Sequence, residues 1–171
     1  LFHLHDNGRR IITLKSINNL NVEITSTDAS FSQPSQRAGV DVHTAAQKAL
    51  DLLAGSTFGG GYQPLPVGKT LTRVTEKNFA NAFYDGNYLL VFGKGQPGYW
   101  SSFTAPDIVA HELFHLVTSQ TAGLIYLGEP GALNEMFSDI FAVFFEKSFI
   151  PGNANYIMGD LADLNPGNGL G

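Results

Sequence analysis

The sequence contains no cysteine. Disulfides, thiol catalysis and cysteinyl zinc fingers are therefore excluded. Charge is also scarce: 15% of residues are charged, below the usual quarter. The 10 basic residues are outnumbered by 15 acidic ones, for a net charge of −5. Apart from Arg9-Arg10 the basic residues stand singly, which leaves no patch for phosphate-driven nucleic-acid binding. Long apolar runs are missing too. The run from Ile140 to Phe145 is far too short to span a bilayer. There is no internal repeat, no Asn-x-Ser/Thr acceptor and no visible signal peptide in the opening Leu-Phe-His-Leu-His. A chain that begins with Leu reads as processed or as cut from a longer one. What is present is apolar and aromatic material: 43% hydrophobic residues, including 13 Phe among 171 residues. That is enough for a sizeable core and argues against disorder.

The pattern changes along the chain. Residues 1 to about 37 alternate apolar and polar side chains, as in Arg10-Ile-Ile-Thr-Leu-Lys and Asn21-Val-Glu-Ile-Thr. Asn7-Gly8 and Asn18-Asn19 punctuate them, which predicts short antiparallel strands joined by turns. Arg73-Val-Thr and Tyr88-Leu-Leu-Val-Phe read as further strands. Val40, His43, Ala46, Leu50 and Leu53 recur at helical spacing, predicting a helix over about 39–54 that stops at Gly55. The glycine-rich run Phe58-Gly-Gly-Gly-Tyr after it reads as a flexible loop. From Ala105 the pattern is helical to about Gln120, with Pro106 and Asp107 suited to a helix start. A glycine-rich loop follows, then a second helix over about Ala132 to Lys147.

Those two helices carry the chemistry. In His111-Glu112-Leu-Phe-His115 two histidines lie four residues apart, stacked on one helical face, so both imidazoles can reach one ion. Glu112 is rotated about 100° from His111. It flanks such an ion and can accept a proton from water there. A catalytic zinc takes three protein ligands, and without cysteine the third is His, Asp or Glu. Glu135 stands twenty residues after His115, on a helix after a loop long enough to reverse the chain. Asp139 is one turn further, suited to hold the outer nitrogen of a ligand histidine. His3, His5 and His43 lie upstream and read as surface or structural histidines.

The segment Val109-Ala-His-Glu-Leu-Phe-His-Leu-Val-Thr, then Thr121-Ala-Gly-Leu-Ile-Tyr126, then Gly131-Ala-Leu-Asn-Glu135-Met-Phe-Ser-Asp139-Ile-Phe resembles the thermolysin-like neutral zinc metalloproteases. Asn81-Ala-Phe-Tyr-Asp-Gly resembles the same family's substrate-binding edge strand. The resemblance implies a zinc ion on His111, His115 and Glu135, with Glu112 as general base and Tyr126 as donor to the oxyanion. It implies that Asn81 and Ala82 hold the substrate backbone, that Asp139 orients His111, that Asn134 buttresses His115, and that Ile108 lines a hydrophobic pocket. Asp107, Glu146 and Asp160 correspond to carboxylates that could hold one calcium. The implied fold class is α+β: a β-rich, antiparallel part over 1–104 with one helix, a zinc-binding helix pair over 105–148, and an irregular tail over 149–171. That tail would begin a second helical lobe, the family's source of a histidine on the oxyanion, an aspartate behind it and an arginine that clamps substrate. The implied function is a zinc-dependent endopeptidase acting on peptide or protein substrates, here as its N-terminal lobe, and secreted. The alternative is a zinc-binding module that recognises peptides without cutting them.

Overall fold

The computed structural model describes residues 1–55, 61–63, 65–152 and 155–162. Residues 58–60 of the glycine-rich run and the last part of the tail lie outside them. The alternating N-terminal segment becomes five short strands: β1 (Phe2–His3), β2 (His5–Asp6), β3 (Ile11–Ile17), β4 (Leu20–Glu23) and β5 (Thr25–Ser26). All pairings among these five are antiparallel, β1 with β5 and both β2 and β4 with β3. Asn18 and Asn19 join β3 to β4 with φ of 49° and 63°. A two-residue turn with both centres left-handed matches strand twist, and asparagine tolerates it.

The sheet is not antiparallel throughout. Helix α1 (Arg37–Ala54) intervenes before β6 (Leu71–Lys77), and β6 pairs with β3 in parallel. β8 (Leu89–Gly93) then pairs with β6, again in parallel. For β3 and β6 the reason is the connection: the crossover through α1 returns the chain to the same end of the sheet, where a parallel neighbour forms. β8 lies parallel to β6 because the chain reverses once in β7 and again into β8. The antiparallel expectation holds for the N-terminal strands, and the two central pairings add parallel neighbours to them. β7 (Ala82–Tyr84) runs antiparallel to β8 and forms the sheet's outer edge, in the order β2-β3-β6-β8-β7.

Helix α2 (Pro106–Gln120) and helix α3 (Gly128–Phe149) complete the fold, with a short 3-10 turn at Asp160–Ala162. α3 starts four residues before the periodicity suggests, because Pro130 falls in the first turn, where its missing N–H costs no hydrogen bond. The core lies between α1, the sheet and α2. Val42, Ala46 and Ala49 of α1, Leu71 and Phe92 of the sheet, and Val109, Leu113 and Leu116 of α2 have no exposed surface. Phe114 of α2 stacks on Phe141 of α3, with ring centroids 4.7 Å apart. Ile108 belongs to this core.

One core cluster is polar. Arg73 of β6 is fully buried and donates through Nε and Nη2 to Thr13 Oγ1, at 2.9 and 2.7 Å. Its Nη2 lies 3.1 Å from His43 Nδ1, and Thr13 Oγ1 lies 2.9 Å from the same nitrogen. That nitrogen must accept, so His43 is held neutral. Burial, and then the Arg73 charge, push its pKa from 6.5 down to about 4. Unfolded chains therefore bind the extra proton between those values, and stability falls as pH drops from about 6.5 to about 4. The gap corresponds to on the order of 3 kcal/mol. Urea unfolding midpoints at pH 7 and pH 4.5 should differ, and His43→Gln should flatten that difference. An unchanged pH slope in the variant would remove His43 as the cause.

Candidate metal centre and cleft

α2 and α3 pack against each other and bring three predicted ligands to one point. His111 Nε2 lies 3.2 Å from Glu135 Oε2 and 3.1 Å from His115 Nε2, and His115 Nε2 lies 3.6 Å from Glu135 Oε1. The outer ring nitrogens are tied elsewhere. His111 Nδ1 donates to Asp139 Oδ1 at 2.8 Å, and His115 Nδ1 donates to Asn134 Oδ1 at 2.8 Å. Asn134 is itself fixed by donating from Nδ2 to the Leu124 carbonyl. Both Nε2 lone pairs are thereby turned toward Glu135, the arrangement in which a metal takes two imidazoles and a carboxylate. Burial, ahead of the opposing bond to Asn134, holds the His115 pKa below its ordinary value. An imidazole kept neutral is one able to ligate.

The surroundings of this ligand group are built by sequence-local means. α2 ends where Thr121 Oγ1 caps the Val117 carbonyl and Gly123, at φ 58°, takes the Thr118 carbonyl. The chain then turns back along α3. A Cβ on Gly131 would lie 3.2 Å from the Tyr126 carbonyl carbon, so glycine lets this loop lie close on α3. Tyr126 is 70% exposed, and its hydroxyl donates to Glu135 Oε1.

Opposite the helices runs the edge strand β7. Gly93 N donates to the Asn81 carbonyl and Asp85 N to the Leu89 carbonyl. Residues 81, 83 and 85 therefore face β8, and the main-chain groups of Ala82 and Tyr84 face the other way, toward α2. The Tyr84 amide acts from there on the Glu112 carboxylate, lowering its pKa against the larger effects of burial and Glu135. A cleft of about 610 Å³ lies between this edge and the helices, lined by Asn81, Ala82, Glu112, Tyr126 and the three ligands. Glu112 is only 8% exposed. Burial and then the Glu135 charge push its pKa up to about 8.

Ile108 is not among the residues lining this cleft; it is buried in the core beside it. Conversely, two contacts were not foreseen. Ser138 Oγ lies 3.2 Å from His115 Nδ1, a position the four-residue spacing from Asn134 would reveal. The Tyr84 amide follows from strand alternation with Ala82. A second carboxylate group also assembles. Asp107, Glu146 and Asp160 each offer an oxygen within 4.8 Å of the others. Glu146 Oε1 and Asp160 Oδ1 are buried without a hydrogen-bond partner. Burial raises the pKa of Asp107 and of Glu146.

Residues 1–119 match the family model of the thermolysin metallopeptidase catalytic domain, and residues 122–170 match that of the family's alpha-helical domain. The division falls at the C-terminal end of α2, so α3 lies in the second match. Neutral protease NprE of Bacillus pumilus is 38% identical over 125 residues, covering 71% of this chain and 40% of that protein. An extracellular elastase of Staphylococcus epidermidis is 34% identical over 140 residues, 77% of this chain and 27% of that protein. Among solved structures, the precursor of protealysin, a metalloproteinase from Serratia proteamaculans, superposes with a TM-score of 0.68 at 26% identity, over 90% of this chain and 48% of that one. The chain thus spans less than half the length of each of these proteins.

Proposed function

The chain belongs to the thermolysin metallopeptidase family, and on that footing we propose that it forms the zinc-binding part of a secreted endopeptidase. One observation carries the reading. Three donor atoms converge while the outer nitrogens of both histidines are already bonded, to Asp139 and to Asn134. The residues fit zinc in number and kind: two imidazoles and one carboxylate. Zinc held there would polarise a peptide carbonyl and lower the pKa of water. The chain's own groups do the rest. Glu112, nearly buried in the cleft wall, takes the proton of the attacking water and passes it toward the leaving amine. Tyr126 turns its hydroxyl from Glu135 to the carbonyl oxygen as negative charge develops. The Ala82 main chain pairs with an extended substrate, as an added strand on the β7 edge. The Asn81 carbonyl is already taken by Gly93, so Asn81 acts through its side-chain amide. A secreted location is in keeping with the extracellular elastase among the relatives.

The test is metal content after dialysis. His115→Ala should hold one zinc equivalent fewer than the parent and unfold at lower temperature, since the remaining ligands lose their common partner. Equal zinc in both proteins would refute the assignment.

A calcium ion on Asp107, Glu146 and Asp160 is part of the same proposal. Oxygen-only donors suit calcium, and the two orphaned buried oxygens need a cation or protons. Such an ion would tie the start of α2 to the end of α3 and to residues 155–162. EGTA should lower the thermal midpoint by about 5 °C or more. Asp107→Asn should lower it similarly and make it insensitive to EGTA. A midpoint indifferent to both would exclude the ion.

A further inference from the structure

We propose a second transition-metal site of the zinc class, formed by His3, His5 and Glu23 on the outer face of the N-terminal strands. The local backbone sets it up. Leu4 N donates to the Ile24 carbonyl at 3.1 Å, so residues 3–5 lie alongside 23–25. Leu4 and Ile24 point into the core, both buried. Side chains alternate along a strand, which sends His3, His5 and Glu23 together to the opposite face.

Their donor atoms converge. His3 Nδ1 is 2.6 Å from Glu23 Oε2, and His5 Nε2 is 3.7 Å from Glu23 Oε1. One ligand atom from each residue lies within 4.8 Å of the other two. Metal–ligand bonds of about 2.0–2.2 Å in a tetrahedron place donors roughly 3.3 Å apart. The two measured separations bracket that spacing, so small side-chain rotations suffice.

A second observation points to a ligand. His5 Nε2 is shut off from solvent and has no hydrogen-bond partner. The nearest carboxylate oxygen, at 3.7 Å, is too far to serve. An ion between the three groups would satisfy that nitrogen. Two imidazoles with one carboxylate select a borderline ion such as zinc over calcium or magnesium, which require oxygen donors. His3 and Glu23 are partly open to solvent, which leaves an approach for the ion and a position for water. This group shares no residue with the cleft. Its place is structural: β1 and β5 are two residues each, and an ion here would clamp both sides of that weakly paired region.

The experiment counts zinc by mass spectrometry of the metal, after loading with excess zinc at pH 7.5 and gel filtration. The parent should carry two equivalents. His3→Ala/His5→Ala should carry one, and so should His111→Ala/His115→Ala, with none in the fourfold variant. Added zinc should raise the melting temperature of His111→Ala/His115→Ala and leave that of the fourfold variant unmoved. If His3→Ala/His5→Ala loses its native circular dichroism, Glu23→Gln replaces it, and retention of two equivalents by that variant overturns the site. So does a parent whose zinc is untouched by changes at 3, 5 and 23. Loss of zinc only on changing 111 and 115 would uphold the cleft and refute this site, whereas the reverse would refute the cleft alone.

Discussion

Replacing Glu112 by glutamine should leave zinc in place and lower the peptide hydrolysis rate by at least ~100-fold, the low end for removing a general base. The geometry separates the two roles. Glu112 is one residue from His111 on α2 but is not among the converging ligand atoms. Its carboxylate sits in the cleft wall, nearly buried. Glutamine keeps the size and the polar tip, yet it cannot take a proton. The two measurements are zinc content and turnover of a quenched-fluorescent peptide, made in a form extended past Gly171. Zinc lost from Glu112→Gln would mean the residue is a ligand. Unchanged turnover would mean it is not the base. A module that recognises peptides without cutting them has no use for a buried carboxylate at this point, which speaks against that reading; an extended parent with no turnover would favour it.

The site was more legible than the sheet, for physical reasons. His111, His115, Glu135 and Asp139 announce themselves because helices fix side-chain direction over a few residues. The loop joining the helices is short enough that they must lie side by side. Sheet pairing is not local. Strands β3 and β6 come together only through α1, and nothing in the alternation of Ile11–Ile17 states whether its far neighbour runs parallel. Two-residue strands such as β1 and β5 fall below what periodicity can resolve. Asp107, Glu146 and Asp160 come from three separate segments, and only the family resemblance linked them in advance. Ile108 was misjudged because two positions three apart on α2, 108 and 111, can still bracket the boundary between core and cleft. His3 and His5 read as plain surface histidines because their partner Glu23 lies across a strand pairing invisible in one dimension.

A polypeptide of just these 171 residues should bind zinc but turn over peptides at least ~100-fold more slowly than a form extended past Gly171. The ligands, Glu112 and Tyr126 all lie between 111 and 135, so the metal centre can assemble from α2 and α3 alone. Transition-state stabilisation is another matter. The family resemblance implies a histidine on the oxyanion, supplied by the second lobe, and no histidine follows His115 in these residues. One such donor is typically worth a factor of ~100 to ~1000. Among the described residues the cleft is bounded by β7 and the helices, and a further wall in the extended form would position substrate better. α3 gives a second readout. Leu133, Phe137, Ile140 and Phe144 are exposed at spacings of four, three and four, which is one continuous helical face. An apolar stripe of that kind in contact with water seeks cover. The 171-residue polypeptide should therefore self-associate in sedimentation velocity, and Ile140→Glu should return it toward monomer. The same substitution in the extended form should instead loosen its helical part and lower its melting temperature, because there the face is packed. Turnover by the short form within about tenfold of the extended one would overturn the claim, since a single missing donor costs more than that. A monomeric short form would mean that the α3 face is stable in water and that the second lobe packs elsewhere.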